Sequence, residues 1–313
     1  MTYLNTINNI KFKQLINIPD MKRTLLIFSA ALFLMFSCKS GNKPAGQADM
    51  VKQFELTEVW RTDTILLTPE SVVYDKTRDV LFVSDMNLEP RVKDGNGFIS
   101  KLGTDGKIIE LRWVEGLSSP KGLAVAGDTL YAADVDELVV IDIINGSIVR
   151  RVTIDGIKMI NDITAAPDGS LYIADSDANK IYHYSNGKLS DWLTEGINGP
   201  NGLYFDGNRL LLGSQGSNDF STIDLTSKTV TVVTDSINHA DGIAYTGIEG
   251  YYLVSDWGGE IFMVNPDYSK VSLLNTKVNE INSADIAFIP DQNLLLVPTF
   301  FKNSVVAYKL TEK

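Results

Sequence analysis

The chain has 313 residues, a formal net charge of -11, one cysteine and two histidines. Such an acidic surface repels phosphate backbones, which excludes nucleic-acid binding as a function class. A lone Cys38 with His183 and His239 gives no material for disulfides, thiolate metal centres or a His-rich zinc site; no Gly-x-Ser-x-Gly elbow or Gly-Lys-Ser/Thr phosphate loop occurs either.

The first element in chain order is a signal-peptide region over residues 1–37. Met21-Lys22-Arg23 is a basic start, and residues 24–36 form an apolar run too short for a comfortable membrane span. Residues 1–20 lack that pattern, so Met21 is the expected initiator. Ser37-Cys38 resembles a bacterial lipoprotein cleavage site, with Met35 where Leu is usual, and Cys38 is the expected lipidation site. Lys39 after the cysteine favours the outer membrane, and a periplasm-facing lipoprotein is the expected localisation, touching the membrane through its lipid alone. Removing residues 1–37 leaves 24 basic against 38 acidic groups, a charge of -14. Residues 38–53 are polar and small, as a tether requires.

From residue 54 to residue 313 the chain repeats one local pattern six times. The segments begin Pro69-Glu70-Ser71, Pro120-Lys121-Gly122, Ile160-Asn161-Asp162, Pro200-Asn201-Gly202, Ala240-Asp241-Gly242 and Ser283-Ala284-Asp285, with second positions 51, 40, 40, 40 and 43 residues apart. A period of about 40–45 residues with four short strands per unit is that of a β-propeller. The expected fold class is therefore all-β, a six-bladed β-propeller with four-stranded blades.

Each unit reads as four strands: in the second they fall near 122–125, 129–133, 138–143 and 148–154, with alternating residues and Asn-Gly or Asp-Gly turns. The sixth unit supplies only three, the last at 304–310. An unpaired edge invites pairing, and the β-like stretch 54–61 is placed to fill it. The ring is expected to close through that N-terminal outer strand in the last blade.

In a propeller the first strand of every blade lines the central channel, so equivalent positions become neighbours. Here these are Glu70, Lys121, Asn161, Asn201, Asp241 and Ala284. Two carboxylates about 5 Å apart repel by about 3 kcal/mol at an effective dielectric near 20, so the ring calls for a cation. Oxygen ligands select a hard ion, Ca²⁺ first and Mg²⁺ or Mn²⁺ otherwise. Two alternatives stand beside a metal: Asn-Gly and Asp-Gly as plain turn chemistry, or Lys121 itself as the counter-ion.

At these residues the chain resembles the gluconolactonase and senescence marker protein (regucalcin) family of six-bladed lactonases over residues 54–313. The resemblance implies that Glu70, Asn201 and Asp241 hold a divalent ion, that Asp241 is the catalytic base and that Asn161, of the Asn161-Asp162 pair, binds substrate. The stretch Asp256-Trp257-Gly258-Gly259-Glu260-Ile261 is especially similar. The family's Glu-Gly-Pro-x-Trp is here Glu70-Ser71-Val72-Val73-Tyr74, and its substrate-binding Arg is Met159, so sugar-lactone specificity is not implied.

Further candidates follow from position. Asp85, Asp134, Asp175, Ser214, Asp256 and Thr299 close the second strands and read as loop braces that accept backbone N–H bonds. Residues 175–179 imitate the start of an EF-hand loop without its Gly or its final Glu, and read as a turn. His239 stands two residues before Asp241, within range of a proton-carrying role. Residues 86–97 form a long insertion on the ring's face, of the kind that makes lids; its Arg91, with Lys121, is a candidate substrate-binding cation. The expected function is metal-dependent hydrolysis of a lactone or related small-molecule ester. The alternative is a non-catalytic NHL-like propeller that binds a small ligand or a protein partner through the same face.

Overall fold

The structure is a computed structural model and describes residues 52–313. The signal-peptide region, Met21, Cys38 and nearly all of the tether lie outside those residues. Six four-stranded antiparallel sheets follow one another along the chain. Their innermost strands are Pro69–Asp75, Pro120–Ala126, Ile160–Ala165, Pro200–Asp206, Ala240–Tyr245 and, shortest, Ala287–Ile289. The sequence period is thus the blade period, and the six-bladed propeller is the fold.

Blade six is completed from the N-terminus. Phe54–Arg61 lies antiparallel on Val305–Glu312, with Phe54 opposite Glu312 and Arg61 opposite Val306. Trp60 then reaches blade one, where its ring covers Gly106; a Cβ on that glycine would meet the indole at 2.6 Å. One strand therefore seals a sheet edge and grips the neighbouring blade.

The core is a ring of apolar clusters, one between each pair of adjacent blades. Val80, Phe82 and Ile99 of blade one pack on Leu123, Leu130 and Val139 of blade two. Across the closure, Leu66, Leu81 and Leu102 of blade one meet Leu294, Leu296 and Val305 of blade six. The alternation that fills these clusters is period two, each strand giving one face to each neighbouring blade.

The second-strand termini act as braces. Asp134 accepts the backbone N–H groups of Ser118 and Ser119, and Asp175 those of Lys158, Met159 and Ala178. Residues 176–179 are the turn that joins Leu171–Asp175 to Lys180–Ser185.

Asp85 accepts Leu67 N–H at 2.7 Å and Ser100 Oγ–H at 2.6 Å. Burial pushes its carboxyl up from 3.8 to about 7, the Ser100 and Leu67 bonds pulling the other way. The folded state thus binds this proton more tightly than the unfolded one, so the associated stability is complete below about pH 4 and lost as pH rises to about 7. Asp85→Asn removes the titration. Its stability relative to the parent should improve by about 2–3 kcal/mol between about pH 4.5 and 8 in urea unfolding, and a pH-independent difference would contradict the assignment.

Candidate metal and substrate cleft

The innermost strands do not run regularly into the channel. Five of them change register at the ring position: between Pro69 and Ser71, Pro120 and Leu123, Ile160 and Ile163, Pro200 and Leu203, and Ala240 and Ile243. A bulge re-aims side chains, and here it turns one residue per blade into the channel mouth. Glu70, Lys121, Asn161, Asn201 and Asp241 line a single cleft of about 240 Å³. Ala284, the sixth, is fully buried beside Met86 and Phe300.

Turn chemistry does not explain the glycines that follow. Gly202 and Gly242 are strand residues without the positive φ of a turn. A Cβ on Gly202 would stand 1.5 Å from Asp241 O, and one on Gly242 would stand 2.2 Å from Ile286 N. Glycine is required because the next blade's backbone passes there.

Three side-chain oxygens in this mouth are buried without a hydrogen-bond partner: Glu70 Oε2, Asn201 Oδ1 and Asp241 Oδ1. These are the only such atoms among the described residues. Buried polar atoms are nearly always satisfied, and an orphan acceptor costs about 1–3 kcal/mol. Acceptors alone, two of them carboxylates, fit a hard divalent ion. Among the described residues no group of three or more His, Cys, Asp or Glu is arranged to hold a metal; here the third member is an amide.

The electrostatics agree with that chemistry. Burial, then Asp241, pushes the Glu70 carboxyl well above its usual range, and Lys121 opposes. Burial, then Asp285 and Asp256, raises Asp241, with the Asn201 side chain opposing. Without a cation the two carboxyls hold their protons more tightly than free ones, so a bound cation competes with protonation.

Lys121 does not stand in contact between the carboxylates. It forms no ion pair among the described residues; Nζ donates to Pro90 O (2.7 Å), Ser119 Oγ (2.9 Å) and Ser119 O (3.1 Å). Burial lowers its pKa to about 8, with Glu70 supporting the charge. Its ammonium thus ties the eleven-residue insertion 86–96 to blade two. The same loop is held outside by Arg91 on Asp177 and by Lys93 on Asp136 (2.6 Å). Arg91 lines the cleft, yet its guanidinium is engaged with that carboxylate.

Asn161 Nδ2 donates to Ser176 Oγ at 3.2 Å, and that hydroxyl donates to Pro200 O at 2.7 Å. The chain of bonds fixes Asn161 beside the strand that carries Asn201. His239 also lines the cleft, in a left-handed conformation (φ 48) held by Asn218 Oδ1 on its N–H and by Trp257 N–H on its carbonyl.

The remaining wall was not evident from the ring. Met86, Pro90, Met159, Gln215, Trp257 and Phe300 complete the cleft. Below the mouth two more buried carboxyls enter the channel. Asp162 accepts Ile163 and Leu203 N–H (both 2.6 Å), and Asp285 accepts Ser71 Oγ–H (2.5 Å). Both sit at the third position of their ring segments, a place the period marks in each case.

Neither a protein-family model nor a curated protein sequence matches the chain. Solved structures do. A streptogramin B lyase matches at TM-score 0.60 and 14% identity, over 86% of this chain and 100% of that one. A catalytically inactive virginiamycin B lyase from Staphylococcus aureus, crystallised with quinupristin, matches at 0.59 and 15%, over 83% and 100%. A presumed gluconolactonase matches at 0.60 and 17%, over 84% and 95%. At these identities the likeness is one of fold: the propeller here is shared with lyases and with a lactonase-type protein.

Proposed function

We propose that the chain is a divalent-metal-dependent hydrolase of a lactone or related ester, carried on a cell-envelope lipoprotein. The observation that supports it is the convergence of Glu70 Oε2, Asn201 Oδ1 and Asp241 Oδ1, buried and unpaired, in one cleft. A Ca²⁺-type ion held by these three would supply the electrophile that polarises a substrate carbonyl and steadies the developing oxyanion. Asp241 takes the proton from the attacking water, and Asn161, fixed through Ser176, orients the ester. The insertion 86–96, tied by Lys121, forms one side of the mouth through Met86, Pro90 and Arg91. Purified protein stripped with a chelator should lose hydrolysis across a lactone panel and regain it with Ca²⁺, Mn²⁺ or Mg²⁺; chelator-resistant turnover would refute the metal.

A second reading, lyase chemistry, draws on His239, an imidazole on the cleft rim two residues from Asp241. Hydrolysis in heavy-oxygen water labels the acid product, whereas elimination leaves a carbon–carbon double bond and no label. The proposal requires the label.

The setting in the envelope rests on Cys38, which lies outside the described residues. Cys38→Ala is expected to move the protein from the membrane to the soluble fraction; unchanged partition without lipid mass on Cys38 would refute lipidation.

A further inference from the structure

We infer that the cleft selects small lactones or esters with an apolar, preferably aromatic, body and rejects polyhydroxylated ones. The inference rests on the hydrolase reading for its chemistry and on the cleft walls for its specificity. Met86 and Phe300 cluster with Ala284, and Trp257 packs against them. Trp257 and Phe300 lie 5.3 Å apart, edge to face at 81°, and Phe301 continues the cluster at 4.7 Å from Phe300. Met159 and Pro90 add further apolar lining.

The aromatic wall is built under strain. Phe300 has φ 49, a left-handed conformation that a bulky side chain adopts only when its surroundings impose it. Thr299 N–H and Oγ1–H both donate to Ser304 O, at 2.9 and 2.7 Å, and Asn303 N–H closes on Phe300 O at 3.0 Å. Thr68 N–H anchors Asn303 Oδ1 from blade one at 3.0 Å. These contacts hold Phe300 against the mouth that carries the orphan oxygens.

The strongest donors that could meet sugar hydroxyls are already engaged. Lys121 spends its ammonium on Pro90 and Ser119, Arg91 its guanidinium on Asp177, and Asn161 its amide N–H on Ser176. Besides the three orphan oxygens reserved for the ion, Gln215, His239 and the Asn161 side-chain carbonyl remain. A hydroxyl desolvated without a partner lowers affinity about tenfold, so a polyol lactone loses at several ring carbons together. An apolar substituent gains about fourfold per buried methylene, and a ring presented to Trp257 and Phe300 adds edge-to-face contact. The cleft volume of about 240 Å³ falls under the usual ligand range of about 300–1,000 Å³. A guest of one ring with a short substituent matches that volume.

The test uses Ca²⁺-loaded full chain with γ-butyrolactone, its γ-methyl, γ-butyl and γ-phenyl derivatives, and glucono-δ-lactone. kcat/KM should climb about fourfold per methylene until the cleft fills, with glucono-δ-lactone about a hundredfold below the phenyl compound. Trp257→Ala and, separately, Met159→Gln should each cut the ratio of phenyl to unsubstituted turnover about tenfold. Glucono-δ-lactone turned over as fast as the phenyl compound would overturn the inference and leave the hydrolase reading intact. If no lactone is hydrolysed while Ca²⁺ binds, the hydrolase reading fails, and calorimetry with the same compounds decides the specificity. Tighter binding of the phenyl compound, weakened by Trp257→Ala, would uphold it; equal or reversed affinity would overturn it.

Discussion

Replacing Asp241 with asparagine is expected to lower kcat for any lactone the protein hydrolyses by about 10²–10⁴-fold, the usual contribution of a positioned general base. Asparagine keeps the size of the side chain and a carbonyl oxygen for a cation, but it cannot take a proton from water. Asp241 is 3% exposed and stands at the register shift of its strand, so the backbone fixes its direction whichever group it carries. The loss should therefore appear in kcat, with the propeller folded and cation affinity reduced but measurable. A variant within tenfold of the parent at saturating Ca²⁺ would remove Asp241 from the proton transfer and turn attention to His239.

Deleting residues 54–61 is expected to abolish cooperative unfolding. The strand supplies the whole outer ladder of blade six, buries Phe54 against Tyr251 at 5.3 Å between centroids, and carries Trp60 onto blade one. Fully burying an aromatic such as Phe54 contributes about 1.5–3 kcal/mol; half-buried Trp60 and Leu56 add part of that each, and with the ladder the loss is a large share of the roughly 5–15 kcal/mol of a typical domain. The deletion also bares Val305–Glu312 as a free edge, which promotes aggregation. Calorimetry should show a broadened or absent transition. An unchanged melt would mean that the ring holds without its closing strand.

The blade count and the closure were legible because both follow from a chemical period. Each unit must present the same alternation to its neighbours, so six near-equal spacings and one surplus strand specify the ring. The ring residues were legible for the same reason, since equivalent positions become neighbours. Lys121 was not: from sequence its ammonium could have lain between Glu70 and Asp241, and only the insertion, folded back so that Pro90 O meets it, shows where its hydrogen bonds go. The Gly202 and Gly242 positions were read as possible turns, and the cause is inter-blade contact, which one strand's sequence does not reveal. The apolar wall is the least legible part. Met86, Trp257 and Phe300 directly follow Asp85, Asp256 and Thr299, so the repeat that gathers the second-strand ends gathers them too; the period does not dictate that these places are apolar, nor that Met159, just before Ile160, joins them.

The most direct measurement is calorimetric titration of the purified protein with Ca²⁺, Mg²⁺ and Mn²⁺ in two buffers of different ionisation enthalpy. Three orphan oxygens, two of them on carboxyls whose proton affinity burial raises, predict one saturable site per chain and protons released on binding, with the site weakened by Asn201→Ala. Failure of all three ions to bind would contradict the metal centre and, with it, the metal-dependent hydrolase.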